Sequence, residues 1–294
     1  MDFDWDDIVK EPEPLKSIED ILSLIGKISR GYQHFYVLGG SQCSLYYDNE
    51  ISTRLDIDIF FETEDDFIRM NDSIDLSVST ESKYAITYPY NQYNIQLIRH
   101  RFGNVDDHFN NFDISATKIG FEFKGVLEKY SAKNITRWMH HDFKGPLKIH
   151  FNNFRTGTPS RFLKYIEKVH VKVPNKKMEI FRIVDHCIEN FNTEFQPSYN
   201  ETKPILGKDI LSNLSAKLLK YGDSGINHEL TDKILSASHH LSMRDQLHIW
   251  KWIEPWNIKN QYYFDDHPFY LLYPQEFKSK MSKENIQKYA QYFI

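Results

Sequence analysis

Asp56 and Asp58 stand two residues apart in LDIDIFF, alternating with Leu55, Ile57 and Ile59. In an extended chain this spacing sends both carboxylates to one face, about 6–7 Å apart at the Cα atoms, while the aliphatic neighbours point the other way into a core. Carboxylates that close repel, and charge is costly to bury unless it is paired. A divalent cation with hard-oxygen preference relieves the repulsion, and magnesium is the ion that an open carboxylate site taking phosphate oxygens favours, with manganese as a substitute. Asp113 occupies the same kind of frame in NFDISATK, between Phe112 and Ile114. Three acids on neighbouring strands can hold two magnesium ions and carry an in-line phosphoryl displacement, with Asp113 on the nucleophile side.

A second feature precedes the acids. FYVLGGSQCSLYYD reads as a short apolar strand stopped by Gly39 and Gly40, then a helix whose first turn holds Ser41. Glycines let a backbone approach a phosphate, and a hydroxyl at a helix N-terminus adds to the amide donors there. A tight turn explains Gly-Gly-Ser alone equally well, and exposed strands often carry an Asp-x-Asp alone. It is their order, with Asp113 further on, that points to phosphate chemistry. Other chemistries lack their patterns: the chain has no Walker sequence, no G-x-S-x-G elbow around Ser41 and no HExxH. The pairs His140–His141 and His239–His240 do not follow Cys/His zinc spacing, so a zinc site is not expected.

The series Gly-Gly-Ser, short helix and RLDIDIFF resembles the nucleotidyltransferase superfamily of DNA polymerase beta. It is more closely similar to the AbiEii-type (AbiEii/AbiGii toxin) nucleotidyltransferases and related phage-encoded proteins. In that group the Asp-x-Asp often follows Arg or Ser, as Ser52, Thr53 and Arg54 precede Asp56 here, and IQLIRHRFGNVDDHFNNFDISATKIGF is similar to the strand pair bearing the third carboxylate. The resemblance covers about residues 35–170. It implies Asp56, Asp58 and Asp113 as metal ligands for two magnesium ions, and Gly39, Gly40, Ser41 and Arg54 around the nucleotide. It also places Lys118 within reach of a triphosphate, although the edge of the core would solvate that lysine equally well. The implied reaction moves an NMP from an NTP to an acceptor hydroxyl and releases pyrophosphate. An RNA 3′ end, with tRNA among the candidates, is the implied acceptor; a protein hydroxyl, a catalytically degenerate binding module and an antitoxin partner stay open.

The elements that must position these residues follow from periodicity. SIEDILSLIGKIS has helical spacing behind Ser17 as N-cap, with Gly31 marking its end. LDIDIFFET, SKYAITYPY, YNIQLIRH and NNFDISATKIGFEF alternate as strands, and EDDFIRMNDSI reads as a helix. Residues 1–150 are thus expected to form an α/β (α+β) catalytic domain, a mixed sheet with flanking helices. Residues 151–294 are expected to be mainly helical. There TPSRFLKYIEK starts at Thr158 as N-cap with Pro159 in the first turn, and Arg161, Lys164 and Lys168 share one face that could meet nucleotide phosphates or simply solvent. Trp250, Trp252 and Trp256 read as core or interface residues rather than base-stacking platforms.

Composition sets the outer limits. With 40% hydrophobic and 15% aromatic residues the chain can bury a core, which excludes disorder. The net charge of -5 hides a split: residues 1–81 hold 19 acids against 6 Lys and Arg, whereas residues 140–182 hold 10 Lys and Arg against 3 acids. An acidic front and a basic middle suit metal on one wall and polyphosphate or RNA on the other, and solvated helix faces give the same counts. The two cysteines have no metal or redox spacing, and no apolar run approaches membrane length. The expectation is a soluble, cytoplasmic protein.

Overall fold

A computed structural model describes residues 13–51, 55–168, 176–197, 204–221, 233–234, 237–242, 245 and 249. Arg54 and the three C-terminal tryptophans lie outside these residues. The chain divides into two compact units, one of residues 1–176 and 197–202 and one of residues 177–196 and 203–294.

The first unit is built on a seven-stranded mixed sheet in the order β3-β4-β5-β2-β1-β6-β7. Its strands are β1 (Tyr32–Leu38), β2 (Asp56–Phe61), β3 (Thr80–Glu81), β4 (Ala85–Tyr90), β5 (Tyr93–Phe102), β6 (Ile119–Val126) and β7 (Ile135–Met139). β2 lies in the middle, antiparallel to β1 and parallel to β5; the other pairs are antiparallel. The expected α/β class, a mixed sheet with flanking helices, is what the chain adopts.

The period-2 alternation decides which residues face where. Phe35, Val37, Ile57, Ile59, Ile95, Leu97, Phe121 and Phe123 form one face, sealed by α1 (Ile18–Gly26) and α3 (Glu64–Ser73) through Ile21, Leu22, Ile25, Phe67 and Met70. Tyr36, Leu38, Phe60 and Ile98 form the other face, partly covered by Val105 and Phe109 of α4 (Val105–Asn110). Asp56 and Asp58 belong to this second face, in register with Asn94 and Gln96 of β5.

Local signals set the helix starts. Ser17 accepts the Asp20 amide at 3.0 Å and Thr63 accepts the Asp66 amide at 3.1 Å, so side chains satisfy first-turn donors of α1 and α3. The expected stop at Gly31 is corrected: α1 ends at Gly26, and Gly31, at φ +82°, instead turns the chain into β1.

NNFDISATKIGFEF is not one strand. A 3-10 turn over Ser115–Thr117 interrupts it, so only Ile119 onward joins the sheet. Asp113 therefore lies on a separate extended segment, whose neighbour Ile114 makes an isolated bridge to Ile149. The expectation of three acids on neighbouring strands is corrected accordingly.

α5 (Thr158–Lys168) belongs to the same unit as the sheet. The described part of the second unit contains α6 (Lys176–Glu189), α7 (Gly207–Tyr221) and a two-stranded ladder of β8 (Glu194–Phe195) and β9 (Ile205–Leu206). Among the described residues, no helix is long and apolar enough to cross a membrane.

Ile57 is fully buried between the two carboxylate positions, and truncating it removes aliphatic volume from the face that anchors β2. Ile57→Ala is expected to lower unfolding free energy by about 2–5 kcal/mol in urea titrations, with little change in the denaturant slope.

Candidate active site

The Gly-Gly-Ser turn joins β1 to α2 (Gly40–Tyr47) and comes directly alongside β2. Gly39 has φ +95° and ψ -138°, a conformation that L side chains rarely adopt, and a Cβ there would lie 3.9 Å from Asp58 Oδ2. Gly39 is also the N-cap of α2 and offers no side chain to its first-turn amides. Next to it, Ser41 is 1% exposed, and its hydroxyl has no hydrogen-bond partner among the described residues. A buried hydroxyl costs free energy unless something bonds to it. An uncapped helix start and an orphaned hydroxyl within reach of a carboxylate pair form a polar recess with incomplete bonding.

The carboxylates are unequally placed. Asp56 accepts a hydrogen bond from Asn94 Nδ2 at 3.0 Å. Asp58 sits deeper: burial first and the neighbouring Asp56 charge second push its carboxyl up to about 7, against the opposing pull of Arg161 and Lys164. Near neutral pH the Asp58 carboxyl is therefore poised to lose its proton when a positive charge comes near.

Asp113 reaches the same neighbourhood from its own segment and is already engaged. Its Oδ2 accepts from Arg161 Nη2 at 2.5 Å and from the Thr158 hydroxyl, both on α5. Asp113 is 7% exposed, so this is a largely desolvated charge pair. Thr158 was expected to cap α5. Instead the Arg161 amide bonds Gly157 O, and the Thr158 hydroxyl is spent on Asp113 while accepting the Arg155 amide at 2.8 Å.

Tyr165, one turn beyond Arg161, is 5% exposed, and its Oη would lie 2.8 Å from a Cβ placed on Gly40. Burial raises its phenol, which stays a neutral donor against the glycine turn.

The structure therefore brings together Gly39, Gly40, Ser41, Asp56, Asp58, Asp113, Arg161 and Lys164. Of the basic face on α5, Arg161 is committed to a carboxylate, Lys164 is exposed and acts electrostatically on Asp58, and Lys168 is the final helical residue. Lys118 is buried: the 3-10 turn carries it inward to 3% exposure, and its ammonium donates to Asp142 Oδ2 at 3.2 Å. Sequence reasoning missed Thr158, Tyr165, Asn94 and Gln96. The last two did carry a signal, since Asn94 and Gln96 alternate with Ile95 and Leu97 just as the acids alternate in β2.

Comparison with known proteins adds the following. Residues 15–142 match the model of the Gabija anti-defense 2 (Gad2) family. No curated protein matches the chain. Among solved structures, the chain is similar to a Thermotoga maritima CCA-adding enzyme complexed with tRNA, at 10% identity and a TM-score of 0.32, over 80% of this chain and 49% of that one. It is likewise similar to a CCA-adding enzyme with ATP, at 11% identity and TM-score 0.33, over 82% of this chain and 52% of that one. A tRNA-processing enzyme complex matches at 14% identity and TM-score 0.32, over 79% and 57%. The chain thus spans about half the length of these structures, and at such TM-scores they carry no argument about its chemistry.

The raised Asp58 carboxyl has a thermodynamic sign. Its folded value of about 7 exceeds the ordinary 3.8, so the folded state holds a proton that the unfolded state releases, and stability falls as pH rises from about 4 through about 7. In metal-free buffer Asp58→Asn is therefore expected to melt above the parent at pH 8. Melting scans should show the gap shrinking as pH falls and closing near pH 4; a constant gap contradicts this assignment.

Proposed function

We propose that this chain is a metal-dependent nucleotidyltransferase that moves an NMP from an NTP to an acceptor hydroxyl with release of pyrophosphate. One observation carries the reading: the Gly-Gly-Ser turn and the Asp56–Asp58 pair are adjacent, with Asp58 Oδ2 3.9 Å from the Cβ position of Gly39. A turn suited to phosphate beside two carboxylates makes electrostatic sense only with a cation between them.

The residues fit magnesium. Asp56 and Asp58 share a face and supply hard oxygens, and the burial and Asp56 charge that raise the Asp58 carboxyl are both costs a divalent ion offsets. When bound, magnesium supplies charge neutralisation for phosphate oxygens and lowers the pKa of a coordinated hydroxyl. The chain does the rest. The uncapped α2 start and the Ser41 hydroxyl donate to phosphate oxygens, and the Gly39 and Gly40 backbones leave room for them. Lys164, exposed beside Asp58, adds positive charge for the triphosphate. Asp113, in the role of third carboxylate, is held by Arg161 and Thr158, so its oxygen is oriented before substrate arrives. Its entry into a metal shell requires the Arg161 contact to give way.

Within this reading the acceptor is an RNA 3′ end, with tRNA as the first substrate class to test, and the basic 140–182 region supplies a backbone-binding surface. Arg54 and Lys168 belong to the same nucleotide-binding proposal, as do a second magnesium ion, manganese as a substitute and a cytoplasmic location. The likeness to AbiEii-type proteins keeps a toxin-like activity with an antitoxin partner inside the proposal. The family matching residues 15–142 is named for anti-defense, which favours a phage-encoded setting and a second reading, in which the fold binds a nucleotide or partner without transferring anything.

Incubating the chain with magnesium, each labelled NTP and total RNA tests both. Label in RNA that falls at least about 100-fold in Asp58→Asn is expected, because even residues that only support metal ligands cost 10–100-fold. Label in protein moves the acceptor to a protein hydroxyl. Absence of transfer together with absence of magnesium-dependent NTP binding sinks the enzyme reading. Separately, magnesium at about 100 times its Kd should stabilise the parent by about 2.7 kcal/mol in melting scans and leave Asp58→Asn unmoved.

A further inference from the structure

β7 ends at Met139, and the next three residues, His140, His141 and Asp142, enter a tight 3-10 turn. Adjacent residues cannot share a helix face, which is why this pair did not look like a metal site in the sequence. The turn overcomes that limit. One ligand atom from each of the three lies within 4.8 Å of the other two. His140 Nδ1 is 3.3 Å from Asp142 Oδ2, and His141 Nε2 is 3.4 Å from Asp142 Oδ1. Bonds of about 2.0–2.1 Å to a tetrahedral ion put its ligand atoms about 3.3–3.4 Å apart, so these spacings match the edges of such a shell.

A fourth group arrives from elsewhere. His150 Nε2 lies 3.5 Å from Asp142 Oδ2, and this nitrogen is buried with no hydrogen-bond partner among the described residues. The Asp142 amide donates to His140 Nδ1 at 3.2 Å, so this nitrogen is unprotonated, and an ion that takes its lone pair must displace that amide contact. Both Asp142 oxygens face the cluster, Oδ2 towards His140 and His150 and Oδ1 towards His141, and Lys118 bonds Oδ2 at 3.2 Å, so an ion taking that oxygen shares it with the ammonium.

We propose that His140, His141 and Asp142 hold a divalent transition-metal ion of the zinc type, with His150 as the fourth ligand. Imidazole ligands select such ions against magnesium, so this site is chemically distinct from the Asp56–Asp58 pair. Its place gives it a purpose. The His150 amide donates to Asp113 O at 2.8 Å, and the Ser115 amide donates to Lys148 O at 3.0 Å. An ion on His150 ties the 140–150 loop to the segment carrying Asp113.

The test uses the full chain, dialysed after loading with zinc, with metal content read by mass spectrometry and with cobalt(II) as an absorbing probe. One equivalent is expected to remain in the parent, in the presence of excess magnesium, and in Asp58→Asn. His141→Ala, at a side chain 82% exposed and so neutral for folding, should weaken retention at least about 10-fold, and His141→Ala with His150→Gln should abolish it. Failure of the parent to retain zinc, or undiminished retention in His141→Ala, overturns the proposal. Because Asp58→Asn keeps the zinc, the result is independent of whether nucleotidyl transfer is found.

Discussion

Two carboxylates held side by side on one strand face are the constraint around which the first unit is arranged. β2 cannot turn them away from each other, because Ile57, Ile59 and Phe61 fix its opposite face in the core. It cannot slide, because one step of register would exchange the acids for the isoleucines. The repulsion is therefore permanent and must be managed locally. Asn94 bonds Asp56, Arg161 and Lys164 offset Asp58, and burial, with the Asp56 charge second, still leaves the Asp58 carboxyl elevated. A fold that keeps this arrangement gives up stability at neutral pH.

Much of this was legible before any coordinates. Alternation identified β2 and the face of its acids, because a buried strand writes its geometry directly into a period of two. The capping residue Ser17 was readable too, since its bond spans three residues, whereas Thr63, which caps α3 by the same spacing, reads in the sequence only as the end of a strand. Asp113 was found by its apolar frame, but its setting was not, because a 3-10 turn only three residues long leaves no periodic trace. Arg161 presented the opposite difficulty. Helical spacing put it on a basic face, while only tertiary contact could show that its guanidinium meets a carboxylate rather than solvent. His150 and Asp142 lie further beyond local pattern, being joined by a loop whose path has no sequence code.

Charge counts also acquire a finer meaning. The acidic front and basic middle do not stand as two opposed walls. Arg161 is inserted among the acids, and Lys118 is buried against Asp142, so part of the basic surplus is internal balance. Lys164, though exposed, likewise acts on Asp58, so the counts overstate the charge that any polyanion could meet.

β2 can be completed only when β1, from before it, and β5, from after it, have both closed on its edges. Asp113 and the α5 guanidinium come later still along the chain. A ribosome releasing this polypeptide would therefore expose the Asp-x-Asp long before its neighbours are in place, and Arg161 and Thr158 would arrive on a helix some hundred residues downstream. Order of synthesis alone keeps the acids apart from these partners until α5 has emerged.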